Sequence, residues 1–228
     1  MNKNGRLWAI GDIHGHLTAL EALIDELKFR KQDTVVVLGD MIDRGPDSYG
    51  VVEKLISLSK RTKLVCLRGN HEIMLERAAT DRSAVPYWLS FGGGETMDSY
   101  KAKSLDSIPE WHWDFFDRLL PYWESENEIF VHAGLNPDLE LHEQSEEVLA
   151  WEFFTEPQPH RSGKRWICGH SPQRDGIPAY LGFATCIDTS ITDGGWLTCL
   201  DVNTNTYWQS DECGNIRTDS LKRVPGSD

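Results

Sequence analysis

Short aliphatic runs alternate with stretches of helical period over the first 80 positions. Residues 6–10 form an apolar run that stops at Gly11-Asp12-Ile13-His14-Gly15. Leu17, Leu20, Leu23, Ile24 and Leu27 then recur at the spacing that places them on one helical face. Thr18 and Glu21 have the spacing of a capping box at the start of that helix. Residues 34–38 are β-branched and Leu without interruption, the pattern of a strand buried on both faces, and they end in Gly39-Asp40. The helical period returns from about Asp47 to Ser59, with Val51, Val52, Leu55 and Ile56 inward. Residues 63–67 are a third apolar run, closed by Arg68-Gly69-Asn70-His71-Glu72. This order predicts β-α-β-α-β, with parallel strands and right-handed crossovers.

The remainder is less regular. Residues 76–127 show no clean period and contain Gly92-Gly93-Gly94; with Trp151 just beyond, the stretch holds Trp88, Trp111, Trp113 and Trp123. It reads as a helical and loop-rich cap inside one domain spanning residues 1–228. Residues 128–131 and 165–168 read as strands ending in His132-Ala133-Gly134 and Gly169-His170. Residues 184–187, 195–202 and 206–209 alternate as antiparallel strands do, with a turn at 203–205 and a frayed tail at 222–228. A chain of 228 residues suits a single core.

Composition narrows the function classes. Lys plus Arg total 23 against 36 Asp plus Glu, a net charge of −13. So acidic a surface disfavours broad binding to nucleic acid or anionic lipid. No apolar stretch approaches a membrane span, and Met1–Asn4 is not followed by an apolar signal region. The five cysteines are scattered without a CxxC pair, as in a reduced, cytoplasmic chain whose cysteines are small core residues.

The polar residues at the strand ends carry the chemistry. Asp12, His14, Asp40, Asn70, His132 and His170 all fall there, where open α/β sheets bind ligands. Carboxylate, carboxamide and imidazole without thiolate suit Mn, Fe or Zn. Six side chains exceed the needs of one ion and fit two divalent ions sharing a carboxylate, with Asp40 placed to bridge. Gly11, Gly15, Gly39, Gly45, Gly69, Gly134 and Gly169 flank this set.

Gly11-Asp12-Ile13-His14-Gly15, Gly39-Asp40-Met41-Ile42-Asp43-Arg44-Gly45, Gly69-Asn70-His71-Glu72, His132-Ala133-Gly134 and Gly169-His170 resemble, in order, the five motifs of the phosphoprotein phosphatase (PPP) family. They span 160 of 228 residues, and the short chain fits the bacterial serine/threonine branch within the calcineurin-like metallophosphoesterases. The resemblance implies an α/β fold, a central β-sandwich flanked by helices, with a dinuclear site at one edge. It implies that Asp12, His14 and Asp40 hold a first metal, and that Asp40, Asn70, His132 and His170 hold a second. Arg44 and Arg68 would bind the substrate phosphate. His71, oriented by Asp43, would be the general acid, protonating the leaving group while a metal-bridging hydroxide attacks phosphorus in line, without a phosphoenzyme.

Other residues carry blander expectations. Glu72 reads as a structural carboxylate, His16, His112, His142 and His160 as surface or packing residues, and Asp188, Asp193 and Asp201 as turn residues. One feature departs from the family pattern. The bacterial relatives place a phosphate-binding Arg shortly after a Trp, where this chain has Trp151-Glu152-Phe153-Phe154; only Arg161, in the next loop, stands near. The expected function is therefore a metal-dependent phosphatase of phosphorylated proteins. Two alternatives are a symmetrical diadenosine tetraphosphate hydrolase, or another small-nucleotide phosphatase, and a non-catalytic phosphate-binding module. Gly169-His170 lacks the second His of the GHxH motif of many phosphodiesterases, which argues against a nuclease.

Overall fold

The computed structural model describes residues 5–224. The predicted opening unit is present: β1 (Leu7–Ile10), α1 (Leu17–Leu27), β2 (Thr34–Val37), α2 (Ser48–Ser59) and β3 (Lys63–Cys66). β1 pairs in parallel with β2, and β2 with β3. The later strands β9 (Leu197–Asp201), β10 (Thr206–Ser210) and β11 (Ile216–Ser220) extend this sheet antiparallel from the other edge of β1, in the order β11-β10-β9-β1-β2-β3. A second sheet has the order β4-β5-β6-β8-β7, built from β4 (Tyr122–Glu124), β5 (Glu128–Val131), β6 (Arg165–Cys168), β7 (Ala179–Tyr180) and β8 (Ala184–Cys186). Its central strands β5, β6 and β8 are parallel.

The period-2 alternation of the strands divides the interior into three layers. On the first sheet, Trp8, Ile10, Val35 and Val37 pack against Leu20, Leu23, Val51 and Leu55 of α1 and α2. Their neighbours Ala9 and Val36 point the other way, against Phe130 and Ile167 of the second sheet. On the far face of that sheet, Ile129, Val131 and Trp166 meet Leu141 and Leu149, the latter from the short helix α7 (Glu146–Trp151). A buried aliphatic side chain contributes about 2 kcal/mol relative to exposure, so a one-residue slip of any strand would be heavily penalised. The result is an α/β fold of two mixed sheets with flanking helices.

Several details differ from the sequence pattern. His16, not Thr18, is the residue preceding α1, because Gly15 donates to Met41 O and draws the chain into the helix two residues early. Glu21 is free to pair with Lys54 of α2 at 2.7 Å. In α2 the fourth inward residue is Leu58, while Ile56 is only partly buried. β4, β7 and β11 are short or exposed and carry little periodic signal. Lys222–Val224 is docked, not frayed, since Val224 donates to Tyr180 O at 2.9 Å; the rest of the expected tail, and Met1–Asn4, lie outside the described residues. Within 76–127 the chain forms the end of α3 (Asn70–Thr80), then α4 (Val85–Trp88), a π-helical turn (Leu89–Gly93), α5 (Gly94–Ser99) and α6 (Glu110–Phe116). No helix among the described residues is long and apolar enough to cross a membrane.

Candidate metal centre

The parallel strands of both sheets end at one edge of the sandwich, and the loops there bend sharply. His14, Asp40, Asp43, Arg44 and His170 all have positive φ, as does Gly39 at +104°. A side chain on Gly39 would meet the Gly69 backbone at 2.7 Å, so only glycine lets the β2 and β3 loops approach this closely.

Asp40 is the hub. Its Oδ2 lies 3.5 Å from His14 Nε2, and its Oδ1 lies 3.4 Å from His132 Nε2. His14, Asp40 and His71 offer ligand atoms within 4.8 Å of one another, as do Asp40, His132 and His170. The two groups share Asp40. The Asn70 carboxamide stands between them, 3.0 Å from His132 Nε2 and 3.2 Å from His170 Nδ1. With its nitrogen inward it donates to both Asp40 oxygens at 3.2 Å; with its oxygen inward it presents a ligand. Asp12 stands beside them, accepting the His170 backbone N–H at 3.0 Å.

Three of the imidazoles are oriented alike. His14 Nδ1 donates to Ile42 O at 2.9 Å, His132 Nδ1 to Leu38 O at 2.8 Å, and His170 Nε2 to Trp151 O at 3.2 Å. In each ring the hydrogen is committed to a carbonyl, so the other nitrogen presents its lone pair to the centre, the usual arrangement of metal-binding histidines. Burial pushes all three pKa values down, His170 to about 4, so the rings are neutral.

The fourth ring behaves oppositely. His71 Nδ1 is 2.8 Å from Asp43 Oδ2, and its Nε2 is buried without a hydrogen-bond partner. Burial opposes its charging, but Asp40 and Asp43 outweigh burial and raise its pKa. Asp43 is itself fixed from 76–127: Trp88 Nε1 donates to its Oδ2 at 2.9 Å and Thr96 Oγ1 to its Oδ1 at 2.7 Å. Glu72 accepts the backbone N–H groups of Asp40, Met41 and Gly69 at 2.8–2.9 Å and so ties the β2 and β3 loops together.

The two arginines diverge. Arg44 reaches the centre, its Nη1 3.3 Å from His14 Nε2, and its N–H donates to Gly92 O. Arg68 instead pairs with Glu76 at 3.1 Å and Glu146 at 3.5 Å. Arg161 pairs with Glu140 and donates to Asp138 O. Two positions after Trp151 stands an aromatic: Phe153 packs on His170, with ring centroids 5.0 Å apart.

Asp188 serves the turn expected of it, accepting the Ser190 N–H at 3.0 Å, and its carboxylate also lies close to Asp12. It is 6% exposed, and burial raises its pKa to about 6. It is the foremost charged neighbour raising the pKa of Asp12, after burial itself. Asp188 directly follows the apolar run 184–187, as the other site residues follow theirs. Of the histidines outside the motifs, His16, His112 and His160 are buried and His142 is exposed.

The donor chemistry fits divalent metal ions. Neutral imidazoles with aimed lone pairs converge on carboxylates, and Asp12, Asp40 and Asp188 are buried together with no Lys or Arg paired to Asp12 or Asp40 among the described residues. The known relatives agree in kind. Residues 5–194 match the family model described as calcineurin-like phosphoesterase. A stretch of 136 residues, 59% of this chain and 44% of the relative, is 31% identical to the symmetrical bis(5'-nucleosyl)-tetraphosphatase of Pseudomonas syringae pv. syringae. A stretch of 94 residues, 40% of this chain and 41% of the relative, is 42% identical to serine/threonine-protein phosphatase 1 of Salmonella typhimurium. The chain thus spans less than half the length of these curated relatives. A crystal structure named provisionally as a diadenosine tetraphosphatase superposes with a TM-score of 0.68 over 99% of this chain and 96% of its own, at 23% identity, a likeness of fold alone. With the family model covering most of the sequence and the motif residues gathered at one sheet edge, the chain belongs to the calcineurin-like phosphoesterases.

Proposed function

We propose that the protein is a metal-dependent phosphomonoesterase acting on phosphorylated protein side chains, with His71 as general acid. One observation carries this reading: of the four imidazoles at the centre, three give a ring hydrogen to a carbonyl, whereas His71 is held by the Asp43 carboxylate with its Nε2 buried and unpartnered. An alkoxide is a poor leaving group, so a held proton donor is what phosphomonoester cleavage needs beyond the metals.

Asp12, His14, Asp40, Asn70, His132 and His170 would hold the two ions. Bound divalent cations would polarise the phosphoryl group and acidify water. Asp43 accepts the Nδ1 hydrogen of His71, which fixes the ring, and its charge favours a second proton on Nε2, the nitrogen left free for the centre. Arg44 offers a guanidinium to the phosphate oxygens. Arg68 would join it only by leaving Glu76 and Glu146.

A symmetrical diadenosine tetraphosphate hydrolase is the second reading, favoured by the similarity to the Pseudomonas enzyme. Against it stands the charge at the cleft: a tetraphosphate needs several cations, and the described residues offer Arg44 beside an Arg68 already engaged by two glutamates. Phosphate release from phosphopeptides and from diadenosine tetraphosphate, by Mn-loaded wild type and His71→Asn side by side, tests the choice. Faster release from phosphopeptides, lost in the variant, is expected. Preference for the dinucleotide would overturn the substrate assignment, and silence on both with metal bound would leave a phosphate-binding module.

A further inference from the structure

Residues 151–154 are clamped against His170. His170 Nε2 donates to Trp151 O at 3.2 Å, and the Phe154 N–H donates to Ser171 Oγ at 2.7 Å. The Phe154 ring turns inward against Trp166, with centroids 5.4 Å apart. Phe153, between these anchors, turns outward. Its ring covers His170 at a tilt of 33° and is still 61% exposed, the most exposed large hydrophobic side chain among the described residues. The fold therefore anchors the backbone on either side of Phe153 and leaves its ring exposed at the lip of the metal centre. Folding gains little from such a ring, whereas an incoming planar group gains a preformed stacking surface.

We propose that Phe153 is a specificity-determining residue that stacks on the ring of an aryl phosphomonoester, such as a phosphotyrosine side chain. The inference rests on the phosphomonoesterase reading and specifies its substrate. Position selects the aryl ester over a nucleobase. Phe153 lies against His170, so a group that meets its exposed ring next to that contact lies beside the phosphate bound at the centre. The ring of an aryl phosphate is one ester oxygen from phosphorus. The base of a symmetrically cleaved tetraphosphate is separated from the scissile bond by a ribose and further phosphates. Charge agrees, because Arg68, the second motif arginine that would grip a longer phosphate chain, is paired with Glu76 and Glu146.

The test compares phenylphosphonate with methylphosphonate binding to Mn-loaded protein, by calorimetry, in wild type, Phe153→Ala and Phe153→Leu. Metal content is measured in each, along with kcat/KM on matched phosphotyrosine and phosphoserine peptides. Wild type should prefer the phenyl ligand by roughly 2- to 10-fold, the scale of an aromatic pair. Both variants should lose that preference, and the phosphotyrosine-to-phosphoserine ratio should fall by a similar factor. An unchanged phenyl-to-methyl ratio overturns the proposal, as does its retention in Phe153→Leu. Equal weakening of both ligands with loss of metal also overturns it and makes the ring a shield for His170. If Phe153→Ala harms only diadenosine tetraphosphate cleavage, the platform serves a nucleobase and the aryl assignment is wrong. If no phosphopeptide is cleaved but the phenyl preference depends on Phe153, the platform stands and the protein phosphatase reading falls.

Discussion

The first sheet buries a carboxylate at each end, and the two are treated in opposite ways. Asp33 precedes β2 and is fully buried. It accepts from the Arg6 N–H, Nε and Nη2 at 2.9, 3.0 and 2.6 Å and from the Arg30 N–H at 2.9 Å. Burial alone would raise its pKa, but the bonds from Arg6 and Arg30 prevail and hold it at about 2. Asp12 follows β1 at the other end and is also buried. Its hydrogen-bond donor is the His170 N–H, while burial, Asp188 and Asp40 push its pKa well above the usual carboxylate range. The chain supplies cations to the carboxylate that holds the fold and withholds them from the one at the centre. A buried carboxylate left this way costs stability until a cation arrives from outside.

The largest effects should fall at the centre. His71→Asn should lower kcat by roughly 100- to 10,000-fold while metal per chain stays at the wild-type level. Asp40→Asn, which touches both ligand groups, should lose metal and turnover together. Metal analysis alongside kinetics distinguishes the two, and loss of metal in His71→Asn would make that ring a ligand instead of an acid.

The opposite end should respond in stability and not in chemistry. Asp33→Ala leaves the Arg6 and Arg30 backbone and side-chain donors without their carboxylate and should cost about 2 kcal/mol in urea unfolding, with turnover per folded molecule unchanged. A folded pKa depressed to about 2 gives stability that is present above the ordinary value of 3.8 and lost as pH falls from there toward 2. That acid-side loss should be roughly 2 kcal/mol in wild type and absent in the variant. The same loss in both would place the acid sensitivity elsewhere.

The smallest effect has the most unusual sign. Without metal, Asp12→Asn should make the chain more stable by about 1 kcal/mol, because it removes a buried charge lacking a cation. A raised folded pKa means stability is lost as pH rises above 3.8, so this gain should grow from acidic to neutral pH. Manganese at 100 times its Kd should stabilise wild type by about 3 kcal/mol and the variant by much less. A destabilised metal-free variant would erase the contrast between the two ends.

Much of this centre was legible because strand ends are written locally. An aliphatic run stops where Gly and a polar residue begin, and parallel strands must bring such endings to one edge. That logic singled out Asp12, His14, Asp40, Asn70, His132 and His170, which the structure gathers at one sheet edge, and Asp188, at the end of the run 184–187, lies close to Asp12 there. The same logic did not reveal the cap of α1, where the pull of Met41 O on Gly15 overrides the Thr18–Glu21 spacing. Nor did it reveal which way Arg68 leans, since Glu146 is distant in sequence.

The sequence by itself determined the layered α/β pattern, the parallel order of β1 to β3 and the set of polar groups at their ends. These follow from periodicity and from where it breaks, which neighbouring residues settle among themselves. Tertiary structure alone decided the protonation bias of each imidazole, because that depends on whether a ring nitrogen meets a carbonyl or a carboxylate. It alone brought Trp88 and Thr96 onto Asp43, 45 and 53 residues away, and set Phe153 on His170. Burial and charge act through space, and the distances that govern them exist only once the two sheets have packed.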